Sequence, residues 1–158
     1  MINTRKVTDR RLLHFSTMNE ILEDVEYLAA GDPPRAAGNW TPAQVVDHVA
    51  KIIRFAVDGF PMPKAALPIR ILGRLLRQRA LTRPMQPGFR LPKKFQFMAP
   101  DPGVTWDDAV DRLRAAIERA GSQRMKHPSP VLGKLAHEQW ELLHCRHAEL
   151  HLSFLHPA

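Results

Sequence analysis

The sequence predicts an all-α fold, a four-helix bundle with one long crossover between helices 2 and 3. Three observations lead there. Four segments place apolar residues at helical spacing, and each opens on its own start signal. About forty-five residues, Phe60 to Val104, separate the second segment from the third, far beyond the roughly 2–8 residues usual between bundle helices. Internal repeats and low-complexity tracts are absent, and 158 residues suffice for one domain, residues 1–158, to bury a core without staples.

The first helix opens at Thr17, with Glu20 three residues on to complete a capping box. Ile21, Leu22, Val25 and Leu28 form its stripe, and Gly31 before Asp32-Pro33-Pro34 stops it. The second opens at Thr41-Pro42-Ala43-Gln44: threonine at the cap, proline in the first turn, glutamine closing the box. Trp40 precedes the cap and is placed to staple onto Val45. Val45, Val49, Ile52, Ile53 and Ala56 supply the buried stripe, and Gly59 ends the helix. His48, three residues from Val45 and four from Ile52, points inward with them.

The third helix opens at Thr105, with Asp107 and Asp108 where the helix dipole favours negative charge. Ala109, Val110, Leu113, Ala116, Ile117 and Ala120 face inward, and Gly121 is the expected terminator. The fourth runs from Leu135 to Leu155, with Trp140, Leu143, His147, Leu150, His151 and Phe154 on its inner face. Inside the crossover, taken as residues 61–104, one short amphipathic helix spans Ile69 to Ala80. It carries Ile69, Leu72 and Leu76 on one side and arginines on the other. Such an element serves as a lid, as a dimer-forming surface, or simply as a cover for the core. Its stripe is too short to anchor firmly on a membrane surface.

A net charge of +7 invites polyanions or an anionic substrate, yet no helix-turn-helix, zinc-finger or RNA-binding signature accompanies it. The clusters Arg5 to Arg11, Arg70 to Arg83, and Lys93 with Lys94 therefore read as solvated surface, and nucleic acid is not the expected partner. No run of eighteen apolar residues exists to span a membrane. The basic first residues lack an apolar signal region, and the lone Cys145 permits no internal disulfide, so the expected compartment is cytoplasmic. Cys145 reads as inert helical packing.

His147 and His151 carry the functional reading. On a helix, residues four apart put their Cβ atoms about 5–6 Å from each other, so both imidazoles can reach one point. Two adjacent imidazoles on an otherwise apolar face would need polar partners which that face does not supply, and a metal ion is one answer. His48 is a candidate third ligand; alone, a core-facing histidine is as readily a hydrogen-bonded packing residue. His144 shares roughly the same side, but it lies two turns, about 10 Å, from His151. It suits an outer or substrate-facing position better than the same ion. His14, His127, His137 and His156 fall near element ends or in loops and carry no such signal.

Trp40 through Ala50, Trp-Thr-Pro-Ala-Gln-Val-Val-Asp-His-Val-Ala, resembles the second helix of the DinB-like superfamily, where a tryptophan and cap precede the first metal histidine. His147-Ala148-Glu149-Leu150-His151 is similar to the H-x-x-x-H of that family's last helix. His127-Pro128 through Leu135, with Glu138, Gln139 and Trp140, further resembles an uncharacterised subgroup within it. The resemblance implies a helical bundle, often a homodimer, with a divalent metal ion (zinc or nickel first, iron next) held by His48, His147 and His151. Characterised relatives transfer low-molecular-weight thiols or isomerise substrates with thiol assistance. Many carry Arg-Gly-Gln after the final histidine, whereas Leu152-Ser153-Phe154 follows here, a departure that touches the activity and not the ligands.

Three functions follow as alternatives: a metal-dependent enzyme activating a small cellular thiol, a non-catalytic metal-binding bundle, or a basic partner-binding protein whose histidines only pack. Coordination would supply the thiolate nucleophile, and arginines of the Ile69–Arg83 segment could bind carboxylates of such a thiol.

Overall fold

All five expected helices form in the computed structural model, which describes residues 1–61, 66–88 and 93–158. They are α1 (Met18–Ala29), α2 (Pro42–Asp58), α3 (Leu67–Thr82), α4 (Trp106–Ser122) and α5 (His137–Leu152). Short 3-10 helices cover Thr4–Lys6 and Lys93–Met98. Residues 62–65 and 89–92, within the expected 61–104 crossover, lie outside the described residues. The chain is thus predominantly helical, in keeping with the all-α class.

The threonine caps of α1, α2 and α4 form as expected. Thr41 Oγ1 accepts the Gln44 N–H at 3.2 Å while the Gln44 side chain accepts the Thr41 N–H at 3.1 Å, closing a capping box over α2. Thr105 Oγ1 accepts the Asp108 N–H at 3.2 Å, and Thr17 Oγ1 accepts the Glu20 N–H at 3.3 Å. Glu20 turns back to the N–H of Ser16 rather than of Thr17. At the far end of α2, Gly59 sits at φ 100°, a conformation open to glycine and costly for other residues.

Several boundaries differ from expectation. Gly121 does not terminate its helix; α4 continues to Ser122, whose hydroxyl donates to the carbonyl of Arg119, and the extended Gln123 makes the cap. The last helix is shorter than Leu135–Leu155. The chain leaves it after Leu152, and β2 (Leu155–His156) pairs antiparallel with β1 (Arg35–Ala36), in register Arg35 to His156 and Ala36 to Leu155. Phe154, expected on the helix's inner face, is buried just beyond it. The basic helix is longer than Ile69–Ala80, and its apolar stripe covers no core: Ile69, Leu72 and Leu76 stay 39%, 55% and 46% exposed.

The core is built from the stripes. Ile21, Val25, Leu28, Val49, Ile53 and Leu113 are almost fully buried, each worth about 1.5–3 kcal/mol of transfer free energy. α2 packs most extensively on α4 and also on α5, while α1 packs on α4 and α5. α3 rests on the α5 side, where the backbone of Gly73 approaches so closely that an added Cβ would lie 2.1 Å from the Val131 carbonyl oxygen. α5 is buried on nearly all sides. Its buried Arg146 and Glu149 pair with each other at 2.8 Å, and they hold the backbone of Phe15 through its carbonyl and its N–H.

Candidate metal centre

α2 brings His48 inward, and α5 brings His147 and His151 to meet it. One ligand atom from each of the three lies within 4.8 Å of the others. The ring centroids form a tight triangle: 5.0 Å from His48 to His147, 4.6 Å from His48 to His151, and 4.5 Å from His147 to His151. His48 Nε2 and His147 Nε2 stand 3.2 Å apart. Two imidazole nitrogens sharing one tetrahedral zinc-sized ion stand about 3.3 Å apart, so the His48–His147 pair has that spacing and the three-histidine group could hold such an ion.

Hydrogen bonding fixes the tautomer of His48. Its Nδ1–H donates to the carbonyl of Met98 at 2.7 Å, which leaves Nε2 with a free lone pair facing His147. The carbonyl comes from the 3-10 helix Lys93–Met98, so the crossover reaches the site through its backbone. His147 Nδ1 is buried with no hydrogen-bond partner among the described residues. Trp40 covers one side, its ring 4.9 Å from that of His48 and stacked at 5.6 Å on His151. The capping motif by itself assigns Trp40 a staple onto Val45, because such a motif carries no trace of which rings a later helix will supply.

All three imidazoles are held neutral. Burial pushes His48 down to about 4, against the opposing pull of the Met98 hydrogen bond. Burial first, then the neighbouring His151, His48 and His144, hold His147 well below its ordinary value. Burial, then His48 and the Arg10 guanidinium, do the same for His151. Arg10 is therefore a cation beside His151, as Lys51 is beside His48. Arg10 donates to Ser153 Oγ at 2.8 and 3.0 Å and lies 4.7 Å above the Phe154 ring.

A charged cluster beneath His48 was not foreseen. Asp47, 1% exposed, accepts from Arg112 of α4 at 2.7 Å and from the Asp101 N–H at 2.8 Å. Lys51, one turn on, donates to the Ala99 carbonyl at 2.8 Å and to Asp101 at 2.7 Å. These bonds pin residues 99–101, directly after Met98, onto α2. The Asp47–Lys51 pair at i,i+4 was a visible signal; its partners on α4 and in the crossover were not.

His144 stays outside the cluster. It is 1% exposed and stacks on Trp140 at 5.2 Å, and neither ring nitrogen has a hydrogen-bond partner among the described residues. Phe60, stacked on Trp140 at 6.1 Å, and Phe55 and Phe97 extend an aromatic wall away from it. Cys145 is fully buried, and that burial pushes its thiol up to about 11, so it is no nucleophile at neutral pH. The remaining histidines lie apart from the triangle: His127 beside Gly59, His137 on the Met125 N–H, His156 on β2, and His14 exposed near Glu149.

A family model described as "Protein of unknown function (DUF1569)" matches residues 7–158. The chain belongs to the DUF1569 family. Searches of curated proteins and of solved structures each return no match. The match takes in all five helices and every residue of the histidine cluster, so the site described above lies wholly within the DUF1569 region.

Proposed function

We propose that this DUF1569 chain is a metal-dependent enzyme in which His48, His147 and His151 hold one divalent ion, zinc or nickel ahead of iron. The observation that carries the reading is the His48 side chain. Its Nδ1–H is committed to the Met98 carbonyl, and its Nε2 is aimed at His147 within a three-imidazole group. A buried imidazole needs one such partner; three neutral rings turned on one point are what a cation requires.

Bound there, such an ion lowers the pKa of a coordinated water or thiol and polarises an oxygen. The chain's own residues do the rest. Met98 and Trp40 orient His48 and His151, and Arg10 sets a positive charge beside His151 suited to a carboxylate of a small cellular thiol. We read the reaction as thiol transfer or a related addition. We also read α1, α2, α4 and α5 as a DinB-like four-helix bundle, crossed over between α2 and α4, that forms a homodimer.

The absence of Arg-Gly-Gln after His151 favours a second reading, a bundle that binds the metal without turnover. Metal analysis of untagged protein tests both. Near-stoichiometric zinc or nickel in the parent, lost in His48→Ala, is the expected result. An empty site in both proteins, even after incubation with either ion, sinks both readings. Assays with a panel of thiols and electrophiles then separate them, since no turnover of any thiol leaves only the second.

A further inference from the structure

α3 turns an apolar face to solvent. Leu67, Ile71, Leu72, Leu75 and Leu76 are 63%, 54%, 55%, 75% and 46% exposed, and with Ile69 they make up half of the exposed large apolar residues among those described. Ile71 with Leu75, and Leu72 with Leu76, are each one turn apart, so they pave a continuous outer strip. The opposite side of the helix is spent: Gly73 and Leu81 are buried, and Arg77 turns in to donate to the Leu132 carbonyl at 3.0 Å. Exposed apolar residues gathered on one helix face, rather than scattered singly, mark a surface that meets a partner.

Charge selects the cover. α3 contains no acidic residue, while Arg70, Arg74 and Arg79 on it and Arg83 at its end are exposed and form no ion pair with a described residue. Arg70 and Arg74 run along one flank of the strip, and Arg79 and Arg83 stand at its C-terminal end. The molecule carries +7 overall. A second copy meeting this face about a two-fold axis would set arginines against arginines with no carboxylate on either helix. A flat, negatively charged layer with an apolar interior satisfies both features at once.

We infer that α3 is a membrane-surface docking element, which lays its leucine and isoleucine strip into the interface of an anionic lipid bilayer while its arginines contact the headgroups. The inference is independent of the metal site. It also reverses the expectation drawn from the short Ile69–Leu72–Leu76 stripe. The helix is a turn longer than that stripe suggested, and a second row of apolar residues, Ile71 and Leu75, lies beside the first.

Co-sedimentation of the full chain with vesicles tests it. Binding is expected to phosphatidylserine/phosphatidylcholine vesicles at low salt, with little binding to phosphatidylcholine alone and progressive release as salt rises. Arg70→Glu with Arg74→Glu lowers the bound fraction by about tenfold or more. Leu72→Asp with Leu75→Asp abolishes binding. All four positions are exposed, so these variants should melt at the parent's temperature. Equal binding to both vesicle types, or binding that survives the α3 substitutions, overturns the inference. A dimer in sedimentation velocity that Leu75→Asp dissolves, with no vesicle binding, overturns it in favour of a second copy.

Discussion

His144 is the clearest case of a residue whose environment, not its type, sets its behaviour. Both ring nitrogens are buried without partners among the described residues, and burial holds the group at about 3 against an ordinary 6.5. Between those values the unfolded chain binds a proton that the folded chain refuses, so stability falls as pH drops below about 6.5 and the decline ends near 3. The limiting slope is about 1.4 kcal/mol per pH unit for each such histidine. His48, His147 and His151 add in the same direction. Urea titrations of metal-free protein across that range should show the decline, and His144→Phe should make it shallower. An unchanged slope would mean that His144 finds a polar partner in solution. Sequence spacing sets His144 apart from the other two and, at i,i+4, puts it beside Trp140; that both its ring nitrogens lack a polar partner depends instead on what packs around that face.

At the scale of elements, α2 is the organising piece. Its capping box and proline fix where it starts, its stripe fixes which face is buried, and His48 follows from both. All of that was legible. What α2 does on its other edge was not. Asp47 and Lys51 clamp residues 99–101 and so steady the Met98 carbonyl that orients His48. Asp47→Asn keeps the shape but turns an amide N–H toward donors. It should cost about 1–3 kcal/mol in urea denaturation and weaken zinc or nickel binding by roughly tenfold or more, read by isothermal titration. The comparison is Asp111→Asn, which loses an exposed pair with Arg114 and should cost less than about 1 kcal/mol with no change in metal affinity. Equal metal affinity in the two variants would show that the clamp stabilises the fold without positioning the ligand.

Across the whole molecule, the N-terminal segment and the last helix are joined by charge. Arg146 and Glu149 are 6% and 7% exposed, and between them they hold the backbone of Phe15. Removing one partner strands the other in the interior, so Arg146→Met or Glu149→Leu alone should cost about 3–5 kcal/mol. The double substitution should cost clearly less than the sum, because the desolvation penalty disappears with the second charge. Additive losses in urea denaturation would show that the two residues act through separate neighbours.

By itself the sequence determined that these helices form, where α1, α2 and α4 start and which of their faces are buried, and the i,i+4 histidine pair. These are local: caps, periodicity and spacing act within a turn or two of the residues that carry them. Tertiary structure alone decided that His48 meets the pair across two helices, that the Met98 carbonyl sets its tautomer, and that the chain ends in a strand on Arg35–Ala36 rather than in more helix. It also decided that α3 keeps its apolar strip in solvent. Each of these depends on contacts between residues tens of positions apart, and no local pattern records which distant surface a side chain will face.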